Sequence, residues 1–97
     1  MVEHIERQMM RMFKALSDQT RQEIFRLLCD CEDELNVTDI CHEFHITQPT
    51  ISHHLQILKS CDLVDSRKEG KKIYYYVRRE VVNDVFGQIV EIFHLEG

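Results

Sequence analysis

Residues 36–60 read NVTDICHEFHITQPTISHHLQILKS, and the fold turns on how this stretch divides. Val37, Ile40, Cys41 and Phe44 recur at the spacing of one helical face, and Asn36 with Asp39 three residues on forms a reciprocal capping pair. The rhythm then breaks at His45, Ile46 and Thr47. Thr47 offers a second cap, Pro49 sits in a first turn where its missing N–H costs nothing, and Ile51, Leu55 and Leu58 form a narrow apolar seam. The spacing predicts a short helix, a three-residue corner and a helix with only one buried side, which is the layout of a helix-turn-helix. The corner lacks the glycine common at that place. The outward side chains of the second helix, Gln48, Thr50, Ser52, His53 and Gln56, are hydrogen-bonding groups of a size that suits base edges in a major groove.

Upstream, Ile5, Met9, Met12, Phe13 and Leu16 trace one helical face, and Ile24, Leu27, Leu28 and Cys31 trace another behind Ser17, a good N-cap. Downstream, residues 63–77 change period. The run LVDSRKEGKKIYYYV places Glu69-Gly70 between two strand-like segments, with Ile73, Tyr75 and Val77 on one face and Tyr74 and Tyr76 on the other, so a β-hairpin with a basic tip is expected. From Arg79 the helical rhythm returns with two interleaved stripes: Val81, Val85, Ile89 and Ile92, and Val82, Phe86, Ile89 and Phe93. A last helix apolar on two sides needs two partners, its own domain and a symmetry mate. The expected architecture is mainly α (α+β): four helices, two strands and a fifth helix, a winged helix-turn-helix that makes residues 1–97 a single DNA-binding domain.

The net charge of −5 argues at first against nucleic acid. Resolved along the chain it does not. Residues 1–46 carry five basic and ten acidic side chains, residues 80–97 carry four acidic and none basic, and residues 47–79 carry seven basic against three acidic. The basic third coincides with the second helix of the pair and the hairpin, where Arg67, Lys68, Lys71 and Lys72 flank the turn and can neutralise phosphates or enter a minor groove. No apolar run approaches the roughly 18 residues of a membrane span, and the first residues are charged where a secretory signal is apolar, so a cytoplasmic protein with no membrane partner is expected.

These residues resemble the ArsR/SmtB family of winged-helix repressors. The matching words are FKALSDQTR (residues 13–21), ELNVTDIC (34–41), ITQPTISHHLQILK (46–59) and LVDSRKEGKKIYYYV (63–77), about two thirds of the chain. The resemblance implies a homodimer joined through the first and last helices, with Ile5, Met9, Val82, Phe86, Ile89 and Phe93 at the interface. It also implies a recognition helix over residues 47–59, with Gln48, Thr50, Ser52 and His53 at the DNA-reading positions, a palindromic operator, and release by an inducer.

The inducer is not fixed by the resemblance. The family's arsenic and cadmium frame, E-L-C-V-C-D-L-C, here reads Glu34-Leu35-Asn36-Val37-Thr38-Asp39-Ile40-Cys41, so the paired thiols are gone and only Cys41 remains. The zinc positions of the last helix fall on Arg79, Val81, Ile92 and Leu95, none of which binds zinc. Cys29, Cys31 and Cys41 remain as candidates for a regulatory metal ion of unassigned identity or for thiol chemistry. Cys29 and Cys31 point about 200° apart on a helix, so they chelate together only if the helix has ended. Cys31, Cys41 and Cys61 also read as small buried apolar side chains. His42 with His45, or His4 with His94 across packed terminal helices, are weaker pairs. Two other functions fit parts of the sequence: a protein-interaction module using residues 74–76 and the second helix of the pair, or a metal-buffering protein using Cys29, Cys31 and Cys41. Catalysis is not expected. No nucleophile with a base, no glycine-rich phosphate loop and no paired carboxylates appear.

Overall fold

The computed structural model describes residues 2–95. Its elements run α1 (Val2–Ala15), α2 (Gln19–Asp30), β1 (Leu35–Asn36), α3 (Val37–Phe44), α4 (Gln48–Ser60), β2 (Val64–Glu69), β3 (Lys72–Val77) and α5 (Arg79–Ile92). The five helices and the hairpin fall where periodicity places them, and one strand is added to the expected order. Leu35 and Asn36 pair antiparallel with Tyr75 and Tyr74, so the sheet has three strands in the order β1-β3-β2. Two residues are too few to show a period of two, and Asn36 has a second role that hides the strand. Its side chain accepts from the Asp39 N–H at 2.9 Å while Asp39 accepts from the Asn36 N–H at 3.2 Å, the reciprocal capping pair that starts α3.

The core gathers one face of each helix. Met12 and Ala15 of α1, Ile24 and Leu28 of α2, Ile40 of α3 and the seam Ile51, Leu55 and Leu58 of α4 meet Leu63, Val64, Tyr75, Val85 and Ile89. The α4 seam is wholly buried, and each of its side chains contributes about 1.5–3 kcal/mol by leaving water. That burial fixes the rotation of α4, so the residues between the seam positions must face outward.

Three local expectations change. Asp18, not Ser17, caps α2: its carboxylate accepts from the Arg21 N–H at 2.9 Å, while the Ser17 hydroxyl donates back to the Lys14 carbonyl at 2.6 Å and closes α1. Thr47 stands at the N-cap of α4, but its hydroxyl pairs with that of Thr50 at 3.1 Å and satisfies no backbone N–H. On the hairpin face expected to be buried, Tyr75 is in the core and Val77 is half-buried, but Ile73 is 41% exposed because it lies toward the tip, beyond the body of the domain. The glycine missing from the helix-turn-helix corner is replaced by His45, which adopts the left-handed conformation (φ 54°) and donates its N–H to the Cys41 carbonyl at 2.9 Å. Gly70 (φ 62°) makes the hairpin turn.

Candidate nucleic-acid interface

With its seam buried, α4 presents Gln48, Thr50, His53 and Gln56 as exposed side chains and Ser52 as half-buried, and it contains no acidic residue; Thr47 is exposed at its start. The hairpin lies beside this face. A cleft of about 290 Å³ between them is lined by Gln48, Ser52 and Gln56 from α4, by Lys71, Lys72, Ile73 and Tyr75 from the hairpin, and by residues 36–38 at the start of α3. Five of the residues chosen from sequence therefore converge on one groove. Lys68 is exposed further along β2.

Two contacts set the angle between α4 and the hairpin. The Gln56 amide donates to the Tyr75 hydroxyl at 3.4 Å, and the Lys59 ammonium donates to the Ser66 hydroxyl at 2.8 Å, with Asp65 4.0 Å away. Burial pushes the Tyr75 phenol up, with the Gln56 bond opposing, so it stays protonated at neutral pH. Both Gln56 and Lys59 thus have structural partners as well as an outward position. His53 and His54 diverge as adjacent helical residues must, with ring centroids 6.0 Å apart. His53 is exposed, while the half-buried His54 lies 3.4 Å from the Arg21 guanidinium. Arg21 also donates to the Ala15 carbonyl at 2.6 Å, which ties the end of α1 to α2 and α4.

Arg67 does not stand as an unpaired cation beside Lys68, Lys71 and Lys72. Its guanidinium donates to Glu34 and, at 2.9 Å, to Glu69, and lies 4.8 Å from the centroid of the Tyr74 ring. Sequence reasoning passed over Glu34 because it reads as one member of a solvated acidic run. By contrast, Lys68, Lys71 and Lys72 form no ion pair with any described residue.

The cysteines are spread. Cys31 ends α2 in an extended conformation, but Cys29 is still helical, and the Arg79 guanidinium donates to the carbonyls of Cys29 (2.9 Å) and Cys31 (3.4 Å). Burial pushes the Cys29 thiol up; Arg79 opposes and Asp30 adds to the rise. Cys41 is half-buried and lines a separate cleft of about 270 Å³ with Thr38, His42, His45 and Gln48. Cys61 is buried, its thiol 3.4 Å from the Leu58 carbonyl and likewise pushed up by burial. Among the described residues no three His, Cys, Asp or Glu side chains converge as a metal site, so one protomer does not bring Cys29, Cys31 and Cys41 together.

Of the residues assigned to a dimer face, Ile5 and Ile89 are already buried within the protomer, Met9, Val82 and Phe86 are half-buried, and Phe93 is 53% exposed. The Phe13 and Phe86 rings pack with centroids 6.4 Å apart, joining α1 to α5. Of the five large apolar side chains exposed among the described residues, Met10, Phe13, Phe93 and Leu95 lie on α1 or at the end of α5. No helix among the described residues is long and apolar enough to cross a membrane.

This geometry has known counterparts. The chain is 40% identical over 76 residues to the transcriptional repressor SdpR of Bacillus subtilis, covering 78% of this chain and 82% of that one. It is 46% identical over 66 residues to the cadmium resistance transcriptional regulatory protein CadC of Listeria innocua, covering 68% of this chain and 55% of that one. Among solved structures, the homodimeric winged helix-turn-helix DNA-binding domain of a Mycobacterium bovis protein superposes with a TM-score of 0.74 at 35% identity, over 97% of this chain and 87% of that one. Residues 18–66, from the cap of α2 into β2, match the model of the bacterial regulatory proteins of the arsR family, and the chain belongs to that family.

Proposed function

We propose that this arsR-family protein is a DNA-binding transcriptional repressor that acts as a homodimer, reading an operator with α4 and gripping its backbone with the hairpin wing. The observation that carries this reading is the groove in which Gln48, Ser52 and Gln56 stand beside Lys71 and Lys72. Uncharged hydrogen-bonding side chains on a helix exposed on one side suit base edges, and lysines at a hairpin tip suit phosphates. In this reading Thr50, His53 and the tip residue Lys68 extend the same surface. Two copies joined through α1 and α5 would set two recognition helices about 34 Å apart, in successive major grooves of a palindromic site. The apolar side chains left exposed at Phe13 and Phe93, and the homodimer found in the M. bovis relative, support that arrangement. Operator binding places the protein in the cytoplasm, and the family is one of regulators, not enzymes.

Selection of duplexes from a randomised pool tests the reading. Recovery of a palindromic site is expected, and absence of even nonspecific binding at low salt would favour a protein-interaction module instead. The inducer belongs to a separate proposal. A regulatory metal would have to recruit Cys29, Cys31 or Cys41 together with donors from a second protomer, and SdpR and CadC differ in whether their names carry a metal at all. Operator affinity with and without zinc, cadmium and arsenite, repeated with cysteine-to-serine variants, decides it: a shift abolished by those variants supports the cysteine site, and no shift removes it.

A further inference from the structure

Arg67 and Glu34 are 33 residues apart and belong to different parts of the fold, yet they are joined. Glu34 ends the acidic loop after α2. The two residues that follow it, Leu35 and Asn36, form β1 and pair with Tyr75 and Tyr74 of the wing, and Asn36 then caps α3. Residues 34–39 therefore hold the wing with one side chain, pair with it through two backbones, and start the helix-turn-helix. Arg67 closes the other side of this junction: Glu34 and Glu69 both accept from its guanidinium while its plane covers Tyr74.

We propose that Glu34 and Arg67 are positioning residues, a clamp that docks the wing on the helix-turn-helix and so sets where Lys68, Lys71 and Lys72 meet the DNA backbone. The proposal rests on the DNA-binding reading above. A two-stranded hairpin is marginal by itself, and here β1 supports it over only two residues. A single exposed ion pair adds little. A guanidinium shared by two carboxylates and an aromatic face is different, because one ordered side chain makes three contacts and its planar fork loses little freedom for each. A lysine at position 67 would keep the positive charge but could not fork between Glu34 and Glu69 while covering Tyr74. Substitution by lysine therefore separates a clamp from a phosphate contact, which needs only the charge.

The test uses the full chain and a duplex that the wild-type protein selects from a randomised pool. Glu34→Ala, Arg67→Lys and Arg67→Ala are each expected to weaken binding about threefold to fivefold, and the Glu34→Ala/Arg67→Ala double variant no more than Arg67→Ala alone. The dependence of affinity on salt should keep its wild-type slope in all of them. In the free proteins, amide exchange at residues 64–77 should quicken while the amides of the α4 seam keep their protection, which shows an intact core. The clamp is overturned if Arg67→Lys binds like wild type while Arg67→Ala lowers the salt slope by about one, the signature of a phosphate contact. It is also overturned if Glu34→Ala tightens binding or if the two single effects add. Should the wild-type chain bind no duplex, the DNA-binding reading fails by itself, and unaltered wing exchange in Glu34→Ala and Arg67→Lys would still overturn the clamp.

Discussion

His45 occupies the left-handed corner between α3 and α4, where a Cβ is a cost and glycine has none. Replacing it with glycine should stabilise the fold by about 0.5 kcal/mol, the relieved strain outweighing the extra freedom of the unfolded chain, and urea midpoints would check the sign. Asp18 makes a pH-dependent contribution. The Arg21 N–H holds its carboxyl below the ordinary value. A depressed folded pKa means that its stabilisation is complete above the unfolded value of about 3.9 and is lost as pH falls through the folded one. Asp18→Asn should keep a cap and flatten that part of the acid limb, and acid titration of the two proteins gives the comparison. These residues also show where sequence reading stops. Ser17 and Asp18 are adjacent and equally good caps, and the choice fell to Asp18 because the Ser17 hydroxyl was taken by the Lys14 carbonyl. Arg67 looked like its basic neighbours because its partner Glu34 is remote in sequence.

At the scale of elements, long periodic segments were legible: the α4 seam, the two-sided α5 and the hairpin about Gly70 all stand where spacing put them. Strand β1 was not, since it is two residues long and its existence depends on a partner strand about 40 residues later. Helix α5 shows the gain and the limit together. Its double stripe is real, but Ile89 was spent within the protomer, leaving Phe93 and, from α1, Phe13 as the exposed apolar groups. Phe93→Asp, which leaves the core untouched, should weaken dimerisation tenfold or more, roughly 1.4 kcal/mol or above by burying a charge where an aromatic ring belongs. Sedimentation over a concentration series measures this. A wild-type monomer at micromolar concentration would remove the dimer.

At the scale of the molecule, the overall charge of −5 conceals a basic face on an acidic body. Such a protein is repelled by duplex except when docked by that face, which predicts modest nonspecific affinity and steep salt dependence. With Arg67 held by carboxylates, three unpaired lysines per wing remain, Lys68, Lys71 and Lys72. For a dimer these imply a log–log salt slope of about −5. The most direct test of the central claim is equilibrium binding to a selected duplex and to a scrambled one, for wild type, Ser52→Ala, His53→Ala and Lys71→Ala. The account predicts that Ser52→Ala and His53→Ala lose about 1–3 kcal/mol on the selected duplex alone and so narrow its advantage, while Lys71→Ala weakens both duplexes alike. Equal loss on both duplexes from all three substitutions, or no binding by the wild-type chain at low salt, would contradict it.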